Sequence, residues 1–419
     1  MPKKPESAPS DEPPQPAARA ATHLVAAGRR PEWTGTGDHP GAVVNPPVWR
    51  ASTHLYPDMA TLRSSRANAD GLFYYGRRGA PTQWALAEAL TELEPGATGG
   101  GTVLYPSGVS AIAGALLTVL RPGDTLLLTD NAYEPSRAMA RGLLADFGVR
   151  TVWFDPMDTA AFAALAPGAR AVLLEAPGSL TMEVPDMPAL IAAAKAAGLT
   201  VLVDNTWASP LGFAPLAHGA DITIMSLTKH VSGHSDVMMG SVTAGPEWHR
   251  RVRLRSQGMG LVVSADDASL MLRGLRTMGL RLEAATRSAL AVAQWLDARR
   301  EVARVLCPML PGSPGHERWR RDFTGGCGLF SFILAGGTAA ARDALIDGLH
   351  LFGIGYSFGG FESLATPVDP AGIRTASPWP PAGMDPADRF GVRLAIGLED
   401  TADLIDDLDR ALGAWSAAQ

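Results

Sequence analysis

The sequence predicts an α/β protein built on a large, wound, mostly parallel sheet, with a smaller α/β unit toward the C-terminal end. Three observations carry that expectation. Apolar strand-like runs alternate with helical segments between residues 125 and 197, the run Val201, Leu202, Val203 ends in Asp204 with no polar interruption, and a long leucine-rich helical pattern takes over near Asp266. Alternation of β and α favours parallel strands with helices on both faces, and an unbroken apolar strand is one buried on both sides.

Taken in order, residues 1–29 are rich in Pro, Ala and charge and read as a disordered tail. Residues 30–79, with NPPV and STHLYPDM, show little periodicity and read as an arm of the kind that reaches a neighbouring subunit. A helix begins near Thr82, which is placed to cap it, and the main domain runs over residues 80–270. Within it, residues 102–105 form a strand, Pro106, Ser107 and Gly108 a turn, and residues 109–120 a helix, which aims the N–H groups of Gly108 and Val109 at any anion before it. Tight strand-to-helix packing explains the same glycine equally well. Strands follow at 125–129, 149–154 and 171–175, with helices near 136–147, after Asp158, and over 186–197. The C-terminal domain, residues 271–419, continues the long helix and adds strand-like 328–334, a helix over 339–349, strand-like 393–397 and a closing helix over 401–415 capped by Thr401.

Composition narrows the function. With 419 residues, 46% hydrophobic and 19% charged, the chain holds a large core, as a soluble globular protein does. A net charge of -6 without a long basic block argues against nucleic acid or an anionic membrane surface as partner. Cys307 and Cys327 form no CxxC pair, so neither a zinc site nor a disulfide framework is expected. His230, His234 and Asp236 lie close in sequence, but Gly233 interrupts any shared helical face, and no metal is expected there. No signal-like apolar segment and no long apolar span occur, and a cytoplasmic location is expected.

The chemistry concentrates between residues 201 and 245. Asp204 ends one buried strand, and a second run, Ile222 to Met225, leads through Ser226, Leu227 and Thr228 to Lys229. A strand-end amine bonds a carbonyl, and a carboxylate on the next strand keeps a pyridine nitrogen cationic, which together describe a pyridoxal phosphate site. Ser226 and Thr228 offer hydroxyls to its phosphate. The competing reading is a plain strand whose Asp caps the next turn, with Lys229 solvated at the rim. Arg393, in an apolar setting, needs a carboxylate partner, either a substrate or a protein acid such as Glu399.

The segments DNTWASP, SLTKHVSGHSD, YYGRRGAPTQWALAEAL, DNAYEPSRAM, EAPGSLTMEVPDMP and RLAIGLED resemble the Cys/Met-metabolism family of pyridoxal phosphate enzymes over nearly all the chain. The resemblance implies the pyridoxal phosphate fold-type I, aspartate aminotransferase-like, and pyridoxal 5'-phosphate as cofactor. It implies that Lys229 bonds the cofactor and moves protons, that Asp204 faces the ring nitrogen, and that Tyr133 stacks on the ring and assists. It also implies that Tyr75 and Arg77 of an adjacent subunit reach the phosphate, and that Arg393, with Ser357 and the backbone at Phe358, grips the substrate's α-carboxylate. The implied activity is a carbon-sulfur β-lyase cleaving L-cystathionine to homocysteine, pyruvate and ammonia, as in methionine biosynthesis. A γ-lyase, γ-synthase or sulfhydrylase shares all these residues. Phe358 stands where the resemblance leads one to expect Trp, and Gln257 where it leads one to expect Tyr. The family's usual assembly is a homotetramer of catalytic dimers acting on a small amino-acid substrate.

Overall fold

A computed structural model describes residues 19–35, 41–65, 68, 71–381 and 384–417. Seven strands form the larger sheet: β1 (Gly101–Tyr105), β2 (Thr125–Thr129), β3 (Arg150–Phe154), β4 (Ala171–Glu175), β5 (Thr200–Asp204), β6 (Ile222–Ser226) and β7 (Gly240–Ala244). Their spatial order is β1-β7-β6-β5-β4-β2-β3, with β7 antiparallel to both neighbours and the remaining pairs parallel. Every residue of β5 is buried, which explains its uninterrupted apolar sequence. The chain leaves β4 toward β5 but leaves β2 toward β3 on the other side, so the order changes direction between β4 and β2, and the loops leaving their carboxyl ends flank a crevice.

Local chemistry sets the helix starts. Asp158 accepts from Ala161 N at 2.9 Å and Asp186 from Ala189 N at 3.1 Å, and each begins the helix expected after it. Ser107 caps the helix Gly108–Val119 by accepting from Ser110 N at 3.1 Å. Two expected caps are corrected. Ala80 occupies the N-cap position of the helix Pro81–Leu93 without a side-chain bond, its N–H donating to Gln83 Oε1 at 3.2 Å, while the Thr82 hydroxyl, bonded to Trp49 N and the Pro47 carbonyl, pins the arm instead. Asp400, not Thr401, takes the Ala402 N–H at the start of the helix Thr401–Ala417, while Thr401 bonds Ser288 at 2.9 Å.

The smaller sheet contains β8 (Val302–Leu306), β9 (Leu329–Leu334), β10 (Gly353–Ile354), β11 (Leu364–Val368) and β12 (Gly391–Ala395), ordered β10-β11-β12-β9-β8. Arg393 therefore lies in mid-strand and does not begin one. The 33-residue helix Ala265–Asp297, capped by Ser264, joins the two units. Its Met271, Leu275 and Met278 pack in the core of the larger unit and its Ala289, Val292 and Leu296 in that of the smaller, so the division at residue 270 falls inside one rigid helix.

Residues 1–18 of the expected tail lie outside the described residues, but its end is ordered. Ala20–Ala26 is a helix with Leu24 buried, its Leu24 carbonyl accepting from Arg276 at 3.0 Å. The arm likewise holds the short helices Pro31–Thr34 and Met59–Ser64. No helix among the described residues is long and apolar enough to cross a membrane.

Candidate active site

The ends of the parallel strands converge on Lys229. Burial, then the nearby Arg393 charge, lowers its amine to about 8 against a smaller opposing pull from Asp204. Lys229 Nζ donates to Ser357 Oγ at 2.8 Å and lies 5.0 Å from the Phe358 ring centre. His230 packs edge-on against Phe358 and bonds the Trp207 carbonyl at 3.1 Å, and burial first of all lowers it to about 4, leaving it neutral.

Asp204 ends β5. Its Oδ1 accepts from Thr206 N at 3.0 Å and Thr206 Oγ1 at 2.6 Å, and the same hydroxyl accepts from Ser226 N at 2.9 Å. Thr206 thus ties the carboxylate to the end of β6 and leaves Oδ2 for another partner. Burial pushes the Asp204 carboxyl up, opposed by the Thr206 bonds and by Lys229. A cation placed against it would offset the cost of keeping it charged.

Glu175 stands beside Asp204 in register on β4, and its Oε2 accepts from Tyr133 N at 2.7 Å. Burial and the adjacent Asp204 raise Glu175 well above the usual carboxylate range. The two acids oppose each other's ionisation, and the Thr206 bonds and Lys229 favour the charge on Asp204. Sequence reasoning missed Glu175 and Thr206, since a strand-end Glu and a turn Thr are ordinary residues. The only available signal was the position of Glu175 at the end of an apolar strand next to that of Asp204.

Groups suited to hold a phosphate lie across the same crevice. At Gly108, a Cβ would come 2.7 Å from Ser226 Cβ, so only glycine lets this helix start close over the Ser226 hydroxyl. The first-turn N–H groups of Gly108 and Val109 have no carbonyl four residues back within their helix. The Thr228 hydroxyl is committed to both backbone groups of Met239, at 3.2 and 3.0 Å, leaving Ser226 as the open hydroxyl of the pair.

Tyr133 is half-exposed above Asp204 and Glu175; burial and these two acids raise its phenol, against the lowering effect of Arg393. Among the described residues no carboxylate pairs with Arg393, and burial lowers its guanidinium. Glu399, the alternative partner, is engaged by the backbone N–H and hydroxyl of Ser363 at 2.7 and 2.8 Å. A half-buried, unpaired guanidinium facing a crevice is suited to an anionic ligand.

Tyr75 and Arg77 stand apart from this cluster. Tyr75 accepts a 3.3 Å bond from Ser52, and Arg77 donates to the Gln257 carbonyl at 2.6 Å. Arg77 and Gln257 line a separate cavity of about 410 Å³ that none of Lys229, Asp204, Tyr133 and Arg393 borders. The turn after Lys229 is closed by its own bonds, His234 to the Ser232 carbonyl and Asp236 to the Ser232 hydroxyl.

The donor set fits pyridoxal phosphate: a desolvated amine, a buried carboxylate with an open oxygen, a glycine-lined helix start over a free hydroxyl, and an unpaired arginine. Comparison with known proteins agrees. The profile of Cys/Met metabolism PLP-dependent enzymes matches residues 21–413. The cystathionine β-lyase of Escherichia coli K12 is 42% identical over 395 residues, covering 93% of this chain and 96% of that protein. That of Salmonella typhimurium is 41% identical over 392 residues, covering 92% and 96%. The crystal structure of cystathionine γ-synthase from Xanthomonas oryzae pv. oryzae, in complex with cystathionine, superposes with a TM-score of 0.83 at 36% identity, covering 96% of this chain and 100% of the other. A match over residues 21–413, which includes both sheets and the segments bearing the amine, the acid and the guanidinium, leaves one conclusion: this chain belongs to the Cys/Met metabolism family of pyridoxal phosphate-dependent enzymes.

Proposed function

We propose that the protein is a carbon-sulfur β-lyase that cleaves L-cystathionine and water to homocysteine, pyruvate and ammonia. The observation that carries the reaction type is Lys229, a buried amine lowered to about 8 and held within 2.8 Å of Ser357 between Asp204 and Arg393. The choice of substrate rests on the two relatives named cystathionine β-lyase.

Pyridoxal phosphate, when bound, supplies the electron sink that stabilises negative charge at the substrate's Cα. Lys229 would hold its aldehyde, the open oxygen of Asp204 its ring nitrogen, and Gly108, Val109 and Ser226 its phosphate, with Thr228 shaping the loop and Tyr133 covering the ring. Arg393 orients the substrate through its α-carboxylate, helped by Ser357 and the backbone at Phe358, so that the Cα proton faces Lys229. Lys229 removes that proton as general base and, as general acid, returns one to the departing homocysteine sulfur, with Tyr133 and Tyr75 as neighbouring donors. Glu175, in register beside Asp204, would back the carboxylate that holds the ring nitrogen.

Tyr75 and Arg77 serve the site of an adjacent subunit in this reading, within a homotetramer of catalytic dimers. Their separation from Lys229 in one chain supports it, as does the exposure of Leu55, Met59 and Tyr75 on the arm. A γ-eliminating or γ-replacing activity is the second reading, favoured by the likeness to a γ-synthase and by Phe358 and Gln257, which stand where the resemblance leads one to expect Trp and Tyr. Product analysis separates the two. From L-cystathionine, pyruvate and homocysteine in equal amounts are expected, measured by keto-acid derivatisation and thiol chromatography, whereas 2-oxobutyrate and cysteine as main products would overturn the β-lyase reading.

A further inference from the structure

The turn that follows Lys229 is held from beneath by a residue of the helix joining the two units. Arg281 Nη1 donates to the His230 carbonyl at 2.9 Å, and Nη2 donates to the Val231 carbonyl at 3.4 Å and to the Gly274 carbonyl of its own helix at 2.7 Å. Its Nε donates to Thr277 Oγ1 at 3.1 Å, which fixes the plane of the fork. The rest of the turn closes on itself, Gly233 N to the Lys229 carbonyl at 2.9 Å and Ser232 N to the Leu227 carbonyl at 2.9 Å.

Two glycines admit this contact. Gly233 has φ of 65°, and a Cβ there would lie 1.7 Å from Arg281 Nη1. At Gly274 a Cβ would come 2.2 Å from the Val231 carbonyl oxygen, so the helix backbone itself rests against the turn. Among the described residues no carboxylate pairs with Arg281, and burial lowers it to about 10. A charge kept buried with only neutral acceptors around its two Nη atoms is expensive, and the planar fork returns geometry that a lysine's point charge cannot supply.

We propose that Arg281 is a positioning residue for Lys229: by gripping the carbonyls of the two residues after it, Arg281 fixes where the lysine amine sits between Asp204, Arg393 and Ser357. The inference rests on the reading of Lys229 as the reacting amine. A displacement of about 1 Å at a reacting group costs on the order of 100-fold in rate, so loss of the fork should be read in turnover more than in binding.

The test uses Arg281→Met and Arg281→Lys in the full chain. In cofactor-free protein, competitive acetylation with acetic anhydride across pH, followed by peptide mapping, titrates Lys229 without any substrate. Asp204 and Arg393, the charges facing Lys229, are unchanged in both variants, and Arg281→Lys also keeps the positive charge that Arg281→Met removes, so a changed titration in Arg281→Lys reports displacement of the amine. The midpoint is expected to rise from about 8 toward that of an exposed lysine in Arg281→Met, and less in Arg281→Lys. In the reconstituted enzyme, kcat for keto-acid release should fall about 10- to 100-fold while KM stays within about twofold. A folded Arg281→Met with the wild-type Lys229 titration and wild-type kcat would overturn the proposal, and if that variant does not fold the same pair of results in Arg281→Lys does so. A loss carried by KM or by lower cofactor content overturns it equally. If the wild type releases no keto acid, the functional reading fails while the acetylation titration still decides the role of Arg281.

Discussion

Lys229 and Ser357 meet across the boundary between the two sheets, amine to hydroxyl at 2.8 Å, and Ser357 makes the contact with φ of 125°. A non-glycine residue held there costs of order 1–3 kcal/mol, so the surrounding loop forces the hydroxyl into place. The neighbours supply the force: a Cβ on Gly359 would lie 2.7 Å from His230 Nδ1, and Ser235 bonds Glu362.

Ser357→Gly and Ser357→Ala separate strain from chemistry. Both variants lose the bond to Lys229, but glycine relieves the backbone and alanine keeps the strain, so Ser357→Gly is expected to be more stable than Ser357→Ala by about 1 kcal/mol. Both lose the hydroxyl, and kcat/KM should fall about tenfold or more, the loss of a bond to a charged group being worth about 1.5–3 kcal/mol. Thermal unfolding and steady-state kinetics on the two variants check this, and full activity in either would remove Ser357 from the site.

The lowered amine of Lys229 predicts the pH dependence of cofactor uptake. Only the neutral amine attacks a carbonyl, so the rate at which cofactor-free protein gains visible absorbance should climb with pH and level off above about 8. A midpoint near that of a free lysine would contradict the desolvated setting. Lys229→Ala should develop no such band.

Arg77→Ala and Lys229→Ala are each expected to be inactive alone. If Arg77 serves a neighbour's site, mixed dimers contain one site with both native residues, and co-refolding should restore up to about a quarter of wild-type activity for random pairing and independent sites. Hybrids demonstrated by native mass spectrometry but still inactive would place Arg77 outside the partner's site.

The buried pair Asp130 and Arg137 predicts an acid-sensitive clamp between the units. Asp130 receives the Thr375 hydroxyl and the N–H groups of Thr375, Ala376 and Ser377, while Arg137 holds Asp130 at 3.0 Å, bonds the Ile373 carbonyl and stacks on Trp153. Burial raises the Asp130 carboxyl, but these donors together hold it at about 2. Its folded value lies below the unfolded one, so its contribution is present above about pH 4 and lost as pH falls toward 2. Asp130→Ala, which leaves the buried Arg137 only the half-exposed Glu134 at 3.5 Å as a carboxylate, should cost about 3 kcal/mol at neutral pH by denaturant unfolding. A loss under 1 kcal/mol would show that the clamp carries no weight.

Glu94 works in the opposite sense. It is 3% exposed, its carboxyl oxygens have no side-chain partner, and burial raises it to about 8. Its folded value exceeds the unfolded one, so its contribution is complete below about pH 4.5 and lost as pH rises toward 8. Glu94→Gln should therefore gain stability over wild type as pH rises through that window, by a few kcal/mol at most, since a tenfold change in proton affinity is worth about 1.4 kcal/mol. Equal unfolding midpoints at pH 5 and pH 8 would refute it.

Asp204 and Lys229 were legible because each ends an apolar run, and Asp158 and Asp186 because a capping acid precedes a helical pattern. Strand β7, GSVTA, was not, since its small and polar residues are buried by the strands on either side and carry no period of their own. Thr82 looks like a cap until the arm takes its hydroxyl, and Arg281 looks like a solvated helix charge until the turn after Lys229 closes over it. The clamp joins Asp130 to Thr375 through tertiary contact alone. Local patterns report strand ends and caps; they cannot report which distant backbone will claim a side chain.

The pairing of β1 with β7, Gly101 opposite Ala244, has a consequence for how the molecule comes into being. Among the described residues β1 has no other strand neighbour, so it cannot join the sheet until nearly all the segments of the larger unit have left the ribosome. The helix Gly108–Val119 is tethered to β1 and comes to rest against β6 and β7 with it. Contacts so far apart along the chain form slowly. The Gly108 side of the crevice is then among the last parts to assemble, and a nascent chain halted before Gly240 would possess Asp204 and Lys229 yet lack the β7 neighbour that seats Gly108 beside Ser226.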